Sequence, residues 1–232
     1  MEMGQLGSQD VAAEPFSRQG FALARSMLSP AECGDILLGL PADLDESAGS
    51  RDLLTLASCQ SLASRLRSSL RDRLERDAVA IQCTYFAKSR VRNWLVPLHQ
   101  DLSVPVAQHV EGAGLNGWSR KQGALFVQPP ARLLERLVAV RLHLDPCAED
   151  DGPLRVVPGS HRHGVLSTEA AAGIGRSHAS VSCIAAAGDA LLMRPLLLHA
   201  SSKASGTSLR RVLHFLFAPA QASHGLRWQI AI

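Results

Sequence analysis

Hydrophobic and polar positions divide the chain into two textures. Up to residue 78 the apolar residues recur at helical spacing. Leucines at 62, 66, 70 and 74 step by four, which predicts an amphipathic helix over 61–77 with one buried stripe. Before it, Gln19–Ala24 reads as a short strand leading to Ser29-Pro30-Ala31-Glu32. That quartet has a capping serine, a proline at the first helical position and a glutamate placed to complete a capping box, so a helix runs from there to about Leu40. Residues 1–14 read as a polar tail and 42–51 as a loop.

Beyond residue 79 short apolar runs alternate with Gly, Pro, Asp and Ser turns. The segments 79–86, 137–144, 154–157, 181–185, 190–193 and 211–217 are the expected strands, with Glu149-Asp150-Asp151-Gly152 a turn between two of them and a short helix over 167–172. Helices followed by a run of strands predict an α+β, mainly β architecture. We expect a helical part (15–78) laid on one face of a β core (79–220) within a single domain, 15–232.

Composition narrows the function. Of 232 residues 46% are hydrophobic, enough for a full core, and 24 basic against 21 acidic residues leave a net charge of +3. That gives no field for nucleic acid, and the mixed charges on the 61–77 helix read as a solvated face. Five scattered cysteines form no CxxC pair, and neither a signal peptide nor a membrane-length apolar run is present, so a cytoplasmic protein is expected.

Three positions carry candidate metal chemistry. His99 and Asp101 lie two apart on a strand-like segment and so point the same way; His199 ends another such segment, Leu196–Leu198. Two imidazoles and one carboxylate leave three sites of an octahedral ion open. The HxD spacing alone is common. Arg210, eleven residues after His199, strengthens it, because the expected strand turns Arg210, Val212, His214 and Leu216 to one face and Arg211, Leu213, Phe215 and Phe217 to the other. An arginine aimed into a barrel needs an anionic partner, which a dicarboxylate chelating the metal would supply. Ser201 has the parity of His199 and could donate to the same carboxylate. Gln82 and Thr84 are candidates to touch that co-substrate. Trp94 could wall the pocket. Arg141 and His143 share a strand face and could read a substrate anion; the alternative is a structural pair bonded to Asp145 or a loop carbonyl. His161 and His163 compete by parity but fall in a loop, and Gly173-Ile174-Gly175 lacks the strand and third glycine of a dinucleotide loop.

The segments Asn93–Asp101, Val140–Asp145, Asp151-Gly152-Pro153-Leu154-Arg155-Val156-Val157-Pro158-Gly159-Ser160-His161, and Gly188–Leu191 through His199-Ala200-Ser201 to Arg210-Arg211 together resemble the phytanoyl-CoA dioxygenase family. The resemblance implies a double-stranded β-helix (jelly roll, cupin-like). It also implies an iron(II)- and 2-oxoglutarate-dependent dioxygenase that uses O2 to oxidise a C–H bond of a small molecule, releasing succinate and CO2. It assigns His99, Asp101 and His199 to iron and Arg210 to the far carboxylate of 2-oxoglutarate. A jelly-roll protein that binds metal and 2-oxoglutarate without turnover is the alternative. The glycine-rich stretch 102–128 is expected to be a loop that could close over the site. Oligomeric state is left open.

Overall fold

The computed structural model describes residues 16–42, 44 and 49–232; the expected polar tail lies outside them. After a single turn of helix, α1 (Phe16–Gln19), come β1 (Phe21–Ala24), α2 (Pro30–Gly39), β2 (Gly49–Ser50), α3 (Ala57–Ser69) and β3 (Ala78–Lys88). In α2 the capping box forms: Ser29 Oγ accepts from Glu32 N–H at 3.2 Å and Glu32 Oε2 accepts from Ser29 N–H at 2.7 Å. The expected 61–77 helix starts earlier and stops at Ser69. Leu70 is buried, but it and Leu74 lie in the turn that follows, where Leu70 C=O accepts from both Arg73 N–H (2.8 Å) and Leu74 N–H (3.1 Å). The leucine stripe therefore outlasts the helix.

The strands β4 (Val96–His99), β5 (Val104–Val106), β6 (Asn116–Lys121) and β7 (Ala124–Gln128) are followed by the short α4 (Ala131–Leu134), then β8 (Val138–His143) and β9 (Leu154–Val156). Next come α5 (Thr168–Ser177), β10 (Val181–Cys183), β11 (Ala190–Met193), β12 (His199–Ser201) and β13 (Arg210–Pro219). All ladders between them are antiparallel. A six-stranded sheet, β1-β11-β8-β13-β3-β2, faces a four-stranded sheet, β10-β9-β12-β4. Two facing antiparallel sheets in this crossed order make a double-stranded β-helix, or jelly roll.

The large sheet is buried on both sides, because α2 and α3 cover its outer face and the small sheet its inner one. Leu213, Phe215 and Phe217 of β13, with Val138, Val140 and Leu142 of β8, pack outward with Cys33, Leu62 and Leu66 of the helices. The inner core gathers Ala139, Leu191 and Met193 against Leu154 and Val156 of the small sheet. Strand parity thus sends one set of residues under the helices and the other into the barrel.

The glycine-rich stretch 102–128 is not a loop. It holds β5, β7 and β6 as a three-stranded sheet. Lys121 pairs with Ala124 across the two residues Gln122 (φ 50°) and Gly123 (φ 83°), the mirror-image turn that matches strand twist. Leu196–Leu198 is likewise not a strand, since β12 begins at His199. The helix expected at 167–172 extends to Ser177 and absorbs Gly173-Ile174-Gly175.

Candidate metal centre and its cavity

β4 and β12 lie side by side with His99 opposite His199, which places the two imidazole centroids 4.2 Å apart. Asp101 sits just past the end of β4, its N–H bonded to Pro195 C=O at 2.8 Å. One ligand atom from each of His99, Asp101 and His199 lies within 4.8 Å of the others, and among the described residues no other such group occurs. Both imidazole Nε2 atoms stand 3.6 Å from an oxygen of Asp101.

The rings are set by their own strands. His99 Nδ1 bonds Pro97 C=O at 2.8 Å and His199 Nδ1 bonds Leu197 C=O at 2.9 Å. A carbonyl can only accept, so each Nδ1 holds the proton and each Nε2 offers a lone pair to the centre. The donor set fits a divalent cation with room for further ligands. Burial works against the charge on Asp101, but His199 and His99, when protonated, outweigh it and hold the carboxyl well below its usual range.

Gln100, between the two ligands, was not singled out by its sequence. Its amide donates to Gly164 and Leu196 carbonyls at 2.8 and 2.7 Å and accepts from Leu166 N–H at 2.9 Å, tying the HxD turn to the approach to His199. The Pro158-Gly159-Ser160-His161 motif also acts as a brace. Ser160 Oγ accepts from Leu198 N–H at 2.8 Å, and His161 Nε2 lies 3.1 Å from Ser17 C=O.

The triad opens into a cavity of about 430 Å³ between the two large sheets, whose lining includes Gln82, Thr84, Trp94, Arg141, Ser201 and Arg210. Gln82 donates to Thr84 Oγ1 at 2.8 Å. Arg210 is buried; its Nη1 donates to Gly152 C=O at 2.8 Å, and its Nε has no partner among the described residues. Its neighbour Arg211, on the other face of β13, is gripped by Asp145 at 2.7 and 2.8 Å. Asp145 is therefore not the partner of Arg141 and His143. His143 is buried, does not line the cavity, and leaves Nδ1 without a partner among the described residues. The Ser201 hydroxyl is already committed, donating to Gly152 C=O at 2.9 Å and accepting from Lys88 Nζ at 2.9 Å. Gly152 is a glycine for two reasons: its φ is +63°, and a Cβ there would lie 2.5 Å from Ser202 C=O.

Lys88 belongs to this end of the barrel although its sequence context did not mark it. It is 1% exposed, directly opposite Arg210 in the β3–β13 ladder, and its Nζ bonds Ser201 Oγ and Ser202 C=O and lies 5.4 Å from the centroid of Trp94. Burial, then Arg210 and Arg141, push its amine down to about 8. A signal existed, since Lys88 continues the parity of Gln82 and Thr84, but the strand was expected to end at Phe86.

The sequence profile of the phytanoyl-CoA dioxygenase family (PhyH) matches residues 16–212. The chain belongs to this family. Searching the curated proteins returned no match. Among solved structures, HygX from Streptomyces hygroscopicus with nickel and 2-oxoglutarate bound superposes with a TM-score of 0.62 at 16% identity, covering 95% of this chain and 89% of that one. The non-haem alpha-ketoglutarate-dependent carbocyclase SnoK from nogalamycin biosynthesis gives 0.67 at 15% identity, covering 93% and 86%. EctD from S. alaskensis in its apo form gives 0.64 at 20%, covering 93% and 78%. At these identities the likeness is one of fold. In this phytanoyl-CoA dioxygenase family chain, Arg210, Ser201 and the His99–Asp101–His199 triad line one cavity, and Lys88 stands behind Ser201 without lining it.

Proposed function

We propose that the protein is an iron(II)- and 2-oxoglutarate-dependent dioxygenase that oxidises a C–H bond of a small-molecule substrate and releases succinate and CO2. The observation that carries this reading is the pairing of two features in one cavity. Two Nε2 lone pairs and a carboxylate converge, and a buried guanidinium with no acidic partner among the described residues waits beyond them. Uncompensated buried charge is costly, so Arg210 is a receptor for an anion that arrives with the ligands. HygX, with nickel and 2-oxoglutarate bound, offers a precedent on the same fold.

In this reading His99, Asp101 and His199 hold the iron, and Arg210 takes the distal carboxylate of 2-oxoglutarate. Lys88 adds positive charge beside it, and Ser201 keeps Lys88 and the Gly152 carbonyl in register with Arg210. Gln82 and Thr84 face the same space from β3, and Trp94 closes its side. Iron(II), 2-oxoglutarate and O2 supply the oxidising power needed to break an unactivated C–H bond. The chain's own work is to fix three adjacent ligands, aim the co-substrate and limit water in the cavity. No helix among the described residues is long and apolar enough to cross a membrane, and we place the substrate among small molecules.

Anaerobic titration with iron(II) and then 2-oxoglutarate should develop a weak visible charge-transfer band that His99→Ala lacks. Admitting O2 with a metabolite library should then yield substrate-dependent succinate, whatever the oxidative outcome. No band in the wild type would sink the assignment; a band without substrate-dependent succinate across the library would favour a binding role instead.

A further inference from the structure

Filling the site as proposed leaves a cation unexplained. The triad lies on the small sheet. On the inner face of the large sheet, also lining the cavity, stands Arg141, 8% exposed. Its cross-strand partner is His214, whose Nδ1 lies 3.3 Å from Arg141 Nη1. Burial, then the charge on Arg141, push His214 down to about 3, so its ring is neutral and Nδ1 accepts. The guanidinium carbon stands 5.5 Å from the centroid of Phe86, and Nε is buried without a partner among the described residues. A guanidinium carries five N–H donors. The His214 contact uses one, and no acidic side chain of the described residues forms an ion pair with this group.

The sum of charges repeats the point. A divalent ion with two neutral imidazoles and Asp101 is singly positive, and doubly anionic 2-oxoglutarate makes the assembly singly negative. Arg210 alone balances it, and the Lys88 amine beside Ser201 already carries the sum to net positive. Arg141 then remains buried and uncompensated, with Arg51 and Lys121 lining the cavity in the same sign. Such a group is stable only when an anion meets it, and its planar fork matches a carboxylate held at two points.

We propose that Arg141 is a second carboxylate-binding group of the cavity, distinct from Arg210, facing the metal centre from the opposite sheet. The inference rests on the proposed function for its charge sum, but the geometry of Arg141 stands by itself. The carboxylate comes either from the primary substrate, which is then an organic acid, or from the metal-proximal end of 2-oxoglutarate.

Two titrations separate these sources, using wild type, Arg141→Met, Arg141→Lys and Arg210→Met, each first shown to bind Mn(II) like wild type. Calorimetry of 2-oxoglutarate into the Mn(II)-loaded proteins is the first. Thermal shift of the Mn(II)- and 2-oxoglutarate-loaded proteins with a series of aliphatic and aromatic monocarboxylates, each beside its neutral amide at constant ionic strength, is the second. If the substrate supplies the carboxylate, acids but not amides raise the melting temperature of wild type. Arg141→Met then abolishes the difference, Arg141→Lys restores part of it, and 2-oxoglutarate affinity stays within about twofold. If the co-substrate supplies it, Arg141→Met weakens 2-oxoglutarate by on the order of tenfold to a hundredfold, the loss expected for a charge-assisted contact. Unchanged 2-oxoglutarate affinity together with no Arg141-dependent preference for acids overturns the proposal. Should wild type take up no 2-oxoglutarate, the proposed function falls, and the acid-against-amide comparison on the Mn(II) protein still decides Arg141.

Discussion

Replacing Lys88 with methionine keeps the length and volume of the side chain while removing its charge. In the folded protein the amine is pushed from its ordinary 10.5 down to about 8, so keeping it charged at neutral pH costs about 3 kcal/mol. Methionine forfeits the bonds to Ser201 Oγ and Ser202 C=O, each contributing roughly 1 kcal/mol net. Ser201 keeps its bond to Gly152 C=O, so no buried hydroxyl is orphaned. Lys88→Met should therefore be more stable than wild type without ligand by about 1 kcal/mol at pH 7, worth about 2–4 °C. The pH dependence has a definite sign. The cost is fully present below about 8 and vanishes as the unfolded amine also loses its proton near 10.5, so wild type should regain the difference as pH rises through that window. On the proposed function the same change should weaken 2-oxoglutarate by up to about tenfold, because Lys88, although it does not itself line the cavity, holds Ser201 next to Arg210 and adds positive charge behind it. Urea melts at pH 7, 9 and 10.5, with calorimetric 2-oxoglutarate titration at pH 7, check both halves. A variant less stable than wild type at pH 7, or one that binds 2-oxoglutarate equally well, refutes the argument that this amine is held at the expense of stability for an anion.

Other outcomes follow from individual contacts. His199→Ala should lower Mn(II) affinity, read by calorimetry, by more than the roughly 10–100-fold typical of an outer partner, and Gln100→Ala should fall within that lesser range. Ser29→Ala removes the α2 cap and should cost about 1 kcal/mol in denaturant melts with no change in metal affinity. At Gly188 φ is +86° and an added Cβ would lie 1.9 Å from Leu28 C=O, so Gly188→Ala should cost at least about 2 kcal/mol by the same measurement.

The chain's local chemistry settled a good part of this picture. The α2 capping box, the parity of β13 and the HxD pair are short-range features, and short-range sterics act the same way wherever a segment ends up. Parity alone separated inward Arg210 and His214 from outward Leu213 and Phe215, as the two cores require. Strand ends were less legible. Lys88 is not legible locally, because β3 continues two residues beyond Phe86 to meet Arg210, and a distant strand, not its own residues, supplies that pairing. The 102–128 sheet was hidden for a like reason: three short strands among glycines carry little periodicity until they pair with one another.

What tertiary structure alone decided is where each polar atom sends its hydrogen bonds. Ser201 had the right parity to reach a co-substrate, yet its proton goes to Gly152. His143 shares a strand face with Arg141 but stops short of the cavity, while Asp145 turns to Arg211. Residue type and spacing limit which faces a side chain can show. Only the packing of sheets from remote parts of the chain determines which donors meet acceptors and which are left, as at Arg141 and Arg210, for a ligand to satisfy.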